Sequence, residues 1–185
     1  MNENKQNFWS QALKGGTIIG LVSVAFALLS QTFKEQTTLA QVVDFASTVI
    51  GILLAAGFLR KFAAGHTRQS GFSYGRGVGF VVVMMVFAGV LTGVYSAVMA
   101  NFFIREELLQ VVEQTMAQMQ DMIPADSFEE TYSMMQKSVT SPLILTLSSV
   151  VSNAFYGLLC GLLLSLITRR QPDIFADDNK AAEEA

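Results

Sequence analysis

Four long apolar blocks run along this chain. Residues 15–32, 77–104 and 142–168 contain no Asp, Glu, Lys or Arg, and residues 39–59 contain only Asp44. A bilayer core about 30 Å thick is crossed by roughly 20 apolar residues of helix, so each block can span or nearly span it. Backbone amides in lipid have to bond within the protein, which allows helices or closed barrels. These blocks are too long and too continuous for the short alternating strands of a barrel. The pattern predicts an all-α polytopic membrane protein, an antiparallel four-transmembrane-helix bundle in one domain over residues 1–171.

The polar segments between the blocks differ in character. Residues 33–38 form a short turn, which makes spans 1 and 2 an antiparallel hairpin. Residues 60–76 form a basic, glycine-containing loop. Residues 105–141 are the one sizeable soluble element. In it, Leu108, Val112, Met116, Met119 and Ile123 recur at helical spacing. After Pro124, Ser127 and Glu130 have the spacing of a capping box, opening a second helix with Phe128, Tyr132, Met135 and Val139 on one face. The spacing predicts a helical hairpin between spans 3 and 4, with span 3 continuing into its first helix. Residues 172–185 form an acidic tail with too little apolar content to pack, which predicts disorder.

Composition fits a membrane protein. Of the 185 residues, 51% are hydrophobic and only 15% charged, against about 25% charged in soluble domains. The segment before residue 15 is weakly basic and no small-residue cleavage site follows Ser30, so the first block reads as a retained span. Cys160 is the single cysteine, which excludes an intramolecular disulfide. Charge sorts by side. With both termini inside, the inner segments hold Lys5, Lys14, Arg60, Lys61, Arg68, Arg76, Arg169, Arg170 and Lys180, and the outer ones only Lys34, Arg105 and Lys137. This positive-inside bias predicts N-in, C-in, with the helical hairpin extracytoplasmic.

Small residues recur at four-residue spacing within the spans: Gly16 and Gly20, Gly75 and Gly79, Gly89 and Gly93, Gly157 and Gly161. Lipid gives no hydrophobic drive for helix association, so such faces serve close backbone approach, within the bundle or in a homo-oligomer.

Candidate chemistry is sparse. Asp44, the one acid inside a span, suggests an ion or proton site with Asn153 and nearby hydroxyls as polar neighbours. A lone shallow carboxylate is equally served by the first turns of a helix, where an anion is favoured. Arg60, Lys61, Arg68 and Arg76 can grip anionic lipid headgroups, or can simply fix topology. His66 has no second ligand at metal spacing. The methionines Met116, Met119, Met122, Met134 and Met135 offer soft sulfur ligands, but also adaptable packing. No nucleophile elbow, Walker loop, zinc-protease helix or intramembrane acid pair is present, so no enzyme, cofactor, metal site or nucleic-acid partner is expected.

The segments FWSQALKGGTIIG (8–20) and FSYGRGVGF (72–80) resemble those of domain of unknown function 4199, a family of small four-span proteins of Bacteroidota. The order of loops fits as well. The resemblance covers about residues 5–171 and implies an all-α bundle in a bacterial inner membrane, with a context of lipid-linked sugar metabolism; it implies no activity and no functional residues. Two classes of function follow. One is an accessory or structural subunit, embedded in the lipid bilayer, that meets another membrane protein or itself through the outer hairpin and the glycine faces. The other is a small transporter or channel-like protein using Asp44 and the polar groups of span 4. A cysteine replacing Ser127 is expected to react with an impermeant thiol reagent on intact cells. One replacing Ser70 is expected to react only after permeabilisation; the opposite pattern reverses the topology.

Overall fold

The computed structural model describes residues 3–33, 36–65, 72–119 and 124–168. Its six helices are α1 (Glu3–Thr32), α2 (Thr37–Ala64), α3 (Tyr74–Phe102), α4 (Arg105–Met119), α5 (Ala125–Thr140) and α6 (Pro142–Thr168). Four are long and apolar enough to cross a membrane: Asn7–Thr32, Thr37–Ala64, Tyr74–Phe102 and Pro142–Thr168. At 1.5 Å per residue each reaches about 40 Å, enough for the hydrocarbon core and both interfaces. Their outward side chains are apolar, among them Leu21, Phe45, Leu53, Val94, Phe155, Leu163 and Ile167. A chain folded in water would bury such a surface. The protein is an all-α, multi-pass membrane protein.

Local chemistry sets the helix ends. Ser73 is extended and its Oγ accepts the Arg76 N–H at 3.5 Å, starting α3. Ser141 serves two helices: its N–H closes α5 on the Lys137 carbonyl at 2.9 Å, and its Oγ accepts the Ile144 N–H at 3.5 Å. Pro142 then occupies a first-turn position of α6, where its missing N–H costs nothing. Two sequence expectations change here. Span 3 does not run on into the loop helix. The Met99 carbonyl accepts both the Phe103 and Ile104 N–H at 3.0 Å, and the chain leaves the helix before α4 begins. Ser127 does not cap α5 either. That helix starts earlier at Ala125, with Pro124 in the cap position and the Ser127 hydroxyl donating back to the Pro124 carbonyl at 3.2 Å.

Register fixes the arrangement. Along α3 and α6, Gly89 meets Val150, Gly93 meets Thr146, and Gly161 meets Val78, so the two run antiparallel. Gly16 lies on Met84 and Gly20 on Ala88 and Leu91, so α1 runs parallel to α3. Helix α3 packs along its length against α6 and α1, and α1 packs against α2, whereas α2 and α6 touch only briefly. The bundle is therefore a ring of four with one thin seam. One end carries the α1–α2 turn and the hairpin α4–α5; the other carries the N-terminus, the end of α2 and the start of α3.

That second, terminal end is the densest part. Phe62 and Phe80 stack with centroids 4.4 Å apart, and Phe8 stands edge-on to both at 5.6 and 5.7 Å. Phe72 is edge-on to Phe62 at 5.9 Å, and Ala12, Leu59, Val81 and Met84 fill around the rings. Trp9 is exposed outside this cluster, edge-on to Phe8.

The helices approach closely only where side chains are absent. A Cβ at Gly16 would strike the Met84 carbonyl oxygen, one at Gly93 would lie 2.8 Å from the Thr146 Cα, and one at Gly157 would lie 2.7 Å from the Met85 Cβ. Gly51 and Gly57, by contrast, have nothing within 4 Å of an added Cβ. Gly16→Ala and Gly93→Ala are expected to lower stability in detergent by about 1–3 kcal/mol. Gly57→Ala should be neutral or stabilising by up to about 1 kcal/mol. Unfolding followed by circular dichroism checks both, and equal behaviour of the two classes would remove the packing argument.

Candidate functional site

The spans carry polar side chains where helical spacing places them on one face. On α2, Ser47, Thr48 and Gly51 stand at i, i+1 and i+4; on α6, Ser152, Asn153 and Tyr156 repeat that spacing. The bundle brings these two faces together around a cavity of about 390 Å³, with Ile19 and Ser23 of α1 and Met85 of α3 completing its wall. Thr48 and Asn153 are each eleven residues from the first residue of their helices, Thr37 and Pro142. Both therefore lie about 16 Å along the axis, near the middle of the span. No Asp, Glu, His, Lys or Arg lines this cavity among the described residues.

The α6 wall is held by a polar clasp to α3. The Thr92 and Ser149 hydroxyls are 3.0 Å apart, and the Asn153 amide nitrogen donates to Thr92 Oγ1 at 3.4 Å and to the Ser149 carbonyl at 2.9 Å. Gly89 makes room for this, since a Cβ there would lie 3.0 Å from the Asn153 Cβ. Farther along α6, the Tyr156 hydroxyl is buried without a full hydrogen bond among the described residues. The Cys160 thiol, a weak partner, is the side chain that reaches it. Tyr95 and Ser165 also carry buried hydroxyls without a hydrogen bond among the described residues.

Asp44 stands apart from this cavity. It is exposed on α2, in a separate recess of about 280 Å³ at the hairpin end, beside Ser30, Gln31, Thr37, Ala40 and Gln41. Its link to the larger cavity is one helical turn of α2, where the Thr48 hydroxyl donates to the Asp44 carbonyl at 3.0 Å. The bundle thus does not bring Asp44 and Asn153 into one site. Ser152 lines the cavity with Asn153, and Ser149 is taken up by the clasp.

Arg60, Lys61 and Arg76 are exposed at the terminal end, and Arg68 lies outside the described residues, as does His66. The segment from Phe72 to Gly77 works as a latch. Phe72 enters the aromatic cluster, Ser73 caps α3, and the Tyr74 hydroxyl donates to the Leu162 carbonyl at 3.1 Å. Gly77 lies against Ser165, whose Oγ would be 2.6 Å from an added Cβ. Gly75 and Gly79 of the same segment have nothing within 4 Å, so its close approach falls on Gly77 instead of that pair.

Gly16, Gly20, Gly89, Gly93, Gly157 and Gly161 are all buried against other helices of the same chain. Their faces are occupied within the chain. In the hairpin, Val112 and Met116 are buried, while Val111, Met119 and Met134 are exposed; Met122 and Ile123 lie outside the described residues. No group of three His, Cys, Asp or Glu side chains able to hold a metal occurs among the described residues. Sequence reasoning passed over Ser23, Ser47 and Thr48 as site residues. The signal was present in the matching i, i+1, i+4 polar pattern of spans 2 and 4.

The clasp should be measurable by a double-mutant cycle of Thr92→Val and Asn153→Leu. A coupling of about 0.6 kcal/mol, and at most about 1.7, is expected in unfolding from mixed micelles. Strict additivity would show that the contact contributes nothing.

The latch, the clasp and the cavity all fall within one stretch of the chain that known proteins can be compared with. No curated protein and no solved structure matches the chain. A family profile covers residues 14–170, a range that contains both the latch and the cavity. The chain belongs to the family described as protein of unknown function (DUF4199).

Proposed function

We propose that the chain is a non-catalytic accessory protein of a bacterial inner (cytoplasmic) membrane. In this reading both termini face the cytoplasm, and the hairpin α4–α5 is presented outside to another membrane protein or to a second copy. The observation that carries it is where the close-packing faces are used. Gly16, Gly20, Gly89, Gly93, Gly157 and Gly161 are occupied inside the chain, and only Gly75 and Gly79 among the glycines of α1, α3 and α6 stay open, at the terminal end, so the bundle keeps little small-residue face for a neighbour. The hairpin, in contrast, contacts the spans lightly and leaves Val111, Met119 and Met134 exposed, as Phe102 and Phe103 are at the end of span 3. The positive-inside charge bias supports the orientation. The exposed Arg60, Lys61 and Arg76 then lie at the cytoplasmic surface, suited to anionic headgroups, including those of lipid-linked sugars.

A transporter is the second reading, and the mid-span polar cavity is what favours it. Against it stand the aromatic cluster that fills the terminal end and the separation of Asp44 from Asn153. Affinity purification of the full chain in mild detergent is expected to recover one membrane partner or a self-oligomer. Val111→Glu with Met134→Glu is expected to abolish that recovery with helicity unchanged. Retention by the double variant would sink the hairpin as the contact surface. Loss of proton-coupled uptake in Asp44→Asn, with the complex intact, would favour the transporter instead.

A further inference from the structure

The mid-span cavity has the dimensions of a small-ligand pocket: its volume of about 390 Å³ lies within the roughly 300–1,000 Å³ usual for such sites. Its polar lining is made of hydroxyls and one carboxamide, from Ser23, Ser47, Thr48, Ser152, Asn153 and Tyr156. These groups donate and accept hydrogen bonds and carry no charge at neutral pH. Asn153 uses its amide N–H groups on Thr92 and Ser149, which leaves its carbonyl oxygen as the free acceptor. The Tyr156 side chain lines the same wall, with its hydroxyl oxygen buried inside the protein. Hydrocarbon cannot satisfy the Asn153 acceptor. A polar guest can.

Access is sideways. Helices α1 and α3 pack closely behind the cavity, and the aromatic cluster fills the terminal end. Helices α2 and α6, which form its two polar walls, touch only briefly. The outward side chains beyond those walls, Leu53 and Phe155, are apolar. The slot therefore faces acyl chains. A charged headgroup drawn to mid-span is costly without a counter-charge, and the lining provides none. An uncharged group bears no such penalty.

We propose that this cavity binds the uncharged hydroxyl- and ester-bearing head of a neutral glycerolipid, entering between α2 and α6 with its acyl chains left in the bilayer. Hydroxyls of Ser47 and Ser152 donate to the ester carbonyls, and the Asn153 carbonyl oxygen accepts the lipid hydroxyl. The site is independent of whatever docks on the hairpin.

Gly51 supplies the test. It is buried at the cavity wall, yet nothing lies within 4 Å of an added Cβ. A side chain at Gly51 therefore starts into open space at the cavity wall, and Gly51→Leu narrows the cavity. Gly57, exposed on the same helix with equally open surroundings, is the control. The full chain is reconstituted in phosphatidylcholine vesicles with a photoactivatable diacylglycerol, or with phosphatidic acid carrying the same chains. The diacylglycerol is expected to label peptides containing residues 47–51 or 152–156, about tenfold more than phosphatidic acid does, a preference of about 1.4 kcal/mol. Gly51→Leu should lose that labelling and Gly57→Leu keep it, with unfolding midpoints at or above that of the unaltered chain. If Gly51→Leu proves less stable, Ser47→Ala with Ser152→Ala carries the same expected loss. Equal labelling by phosphatidic acid, equal labelling of Gly51→Leu, or no labelling of the unaltered chain overturns the proposal. Displacement by excess free glycerol would assign the pocket to a soluble polyol and overturn the lipid source.

Discussion

The close approach of α3 to its neighbours at glycine is the contact on which the rest of the bundle depends. Lipid tails are as apolar as leucine, so burying an aliphatic side chain between helices gains little over leaving it in the bilayer. What remains is van der Waals contact, and that requires backbones to come near. Gly16 and Gly20 bring α1 onto α3 at Met84 and Leu91, while Gly89, Gly93, Gly157 and Gly161 bring α6 onto its opposite side. Once these contacts form, α3 is the axis of the bundle and the most buried of the spans.

Helix α2 follows from what those contacts leave. Its own glycines, Gly51 and Gly57, meet no neighbour at close range. It is held instead by α1 and by Phe62, whose ring stacks on Phe80 and meets Phe8 and Phe72 edge-on. Aromatic pairs of this geometry contribute about 0.5–1.5 kcal/mol each beyond their buried area. The attachment is thus concentrated at the terminal end. Elsewhere α2 and α6 touch only briefly, and the polar cavity lies between their polar faces at mid-span. A tight end and an open middle come from one division of labour: glycine contacts for three helices, an aromatic cluster for the fourth.

Much of this was legible in the sequence, because a membrane limits the choices. The fourth span falls on residues 142–168 in both readings, since Ser141 and Pro142 mark its start. The other spans are longer than their charge-free cores: α1 begins at Glu3, and α2 runs through Arg60 and Lys61 to Ala64, because long basic side chains reach the interface from within a helix. The break after Phe102 was not legible, as no Gly or Pro marks it and it rests on two N–H groups sharing the Met99 carbonyl. Nor did the glycine pattern say which glycines pack. Gly75, Gly77 and Gly79 look alike in sequence, and only their facing on α3 makes Gly77 the contact. The cavity was half visible: Asn153 stood out as an amide, whereas Ser47 and Thr48 are common enough in spans to pass without notice.

The division between Asp44 and the cavity has a physical logic. A carboxylate is tolerated within about 10 Å of the start of a helix, where the interface and the helix N-terminus favour negative charge. At mid-span it would require a partner cation, and hydroxyls and carboxamides are the polar groups that a span carries there at modest cost. The polar face of α2 changes along that gradient, from Gln41 and Asp44 near the hairpin end to Ser47 and Thr48 deeper in. On α6 the amide of Asn153 is placed opposite the hydroxyl pair and is steadied by Thr92 from behind. What the bundle builds at its middle is therefore a neutral polar chamber with fixed walls on α1, α3 and α6. Its remaining wall is α2, which meets α6 only briefly and whose own glycines touch no neighbour.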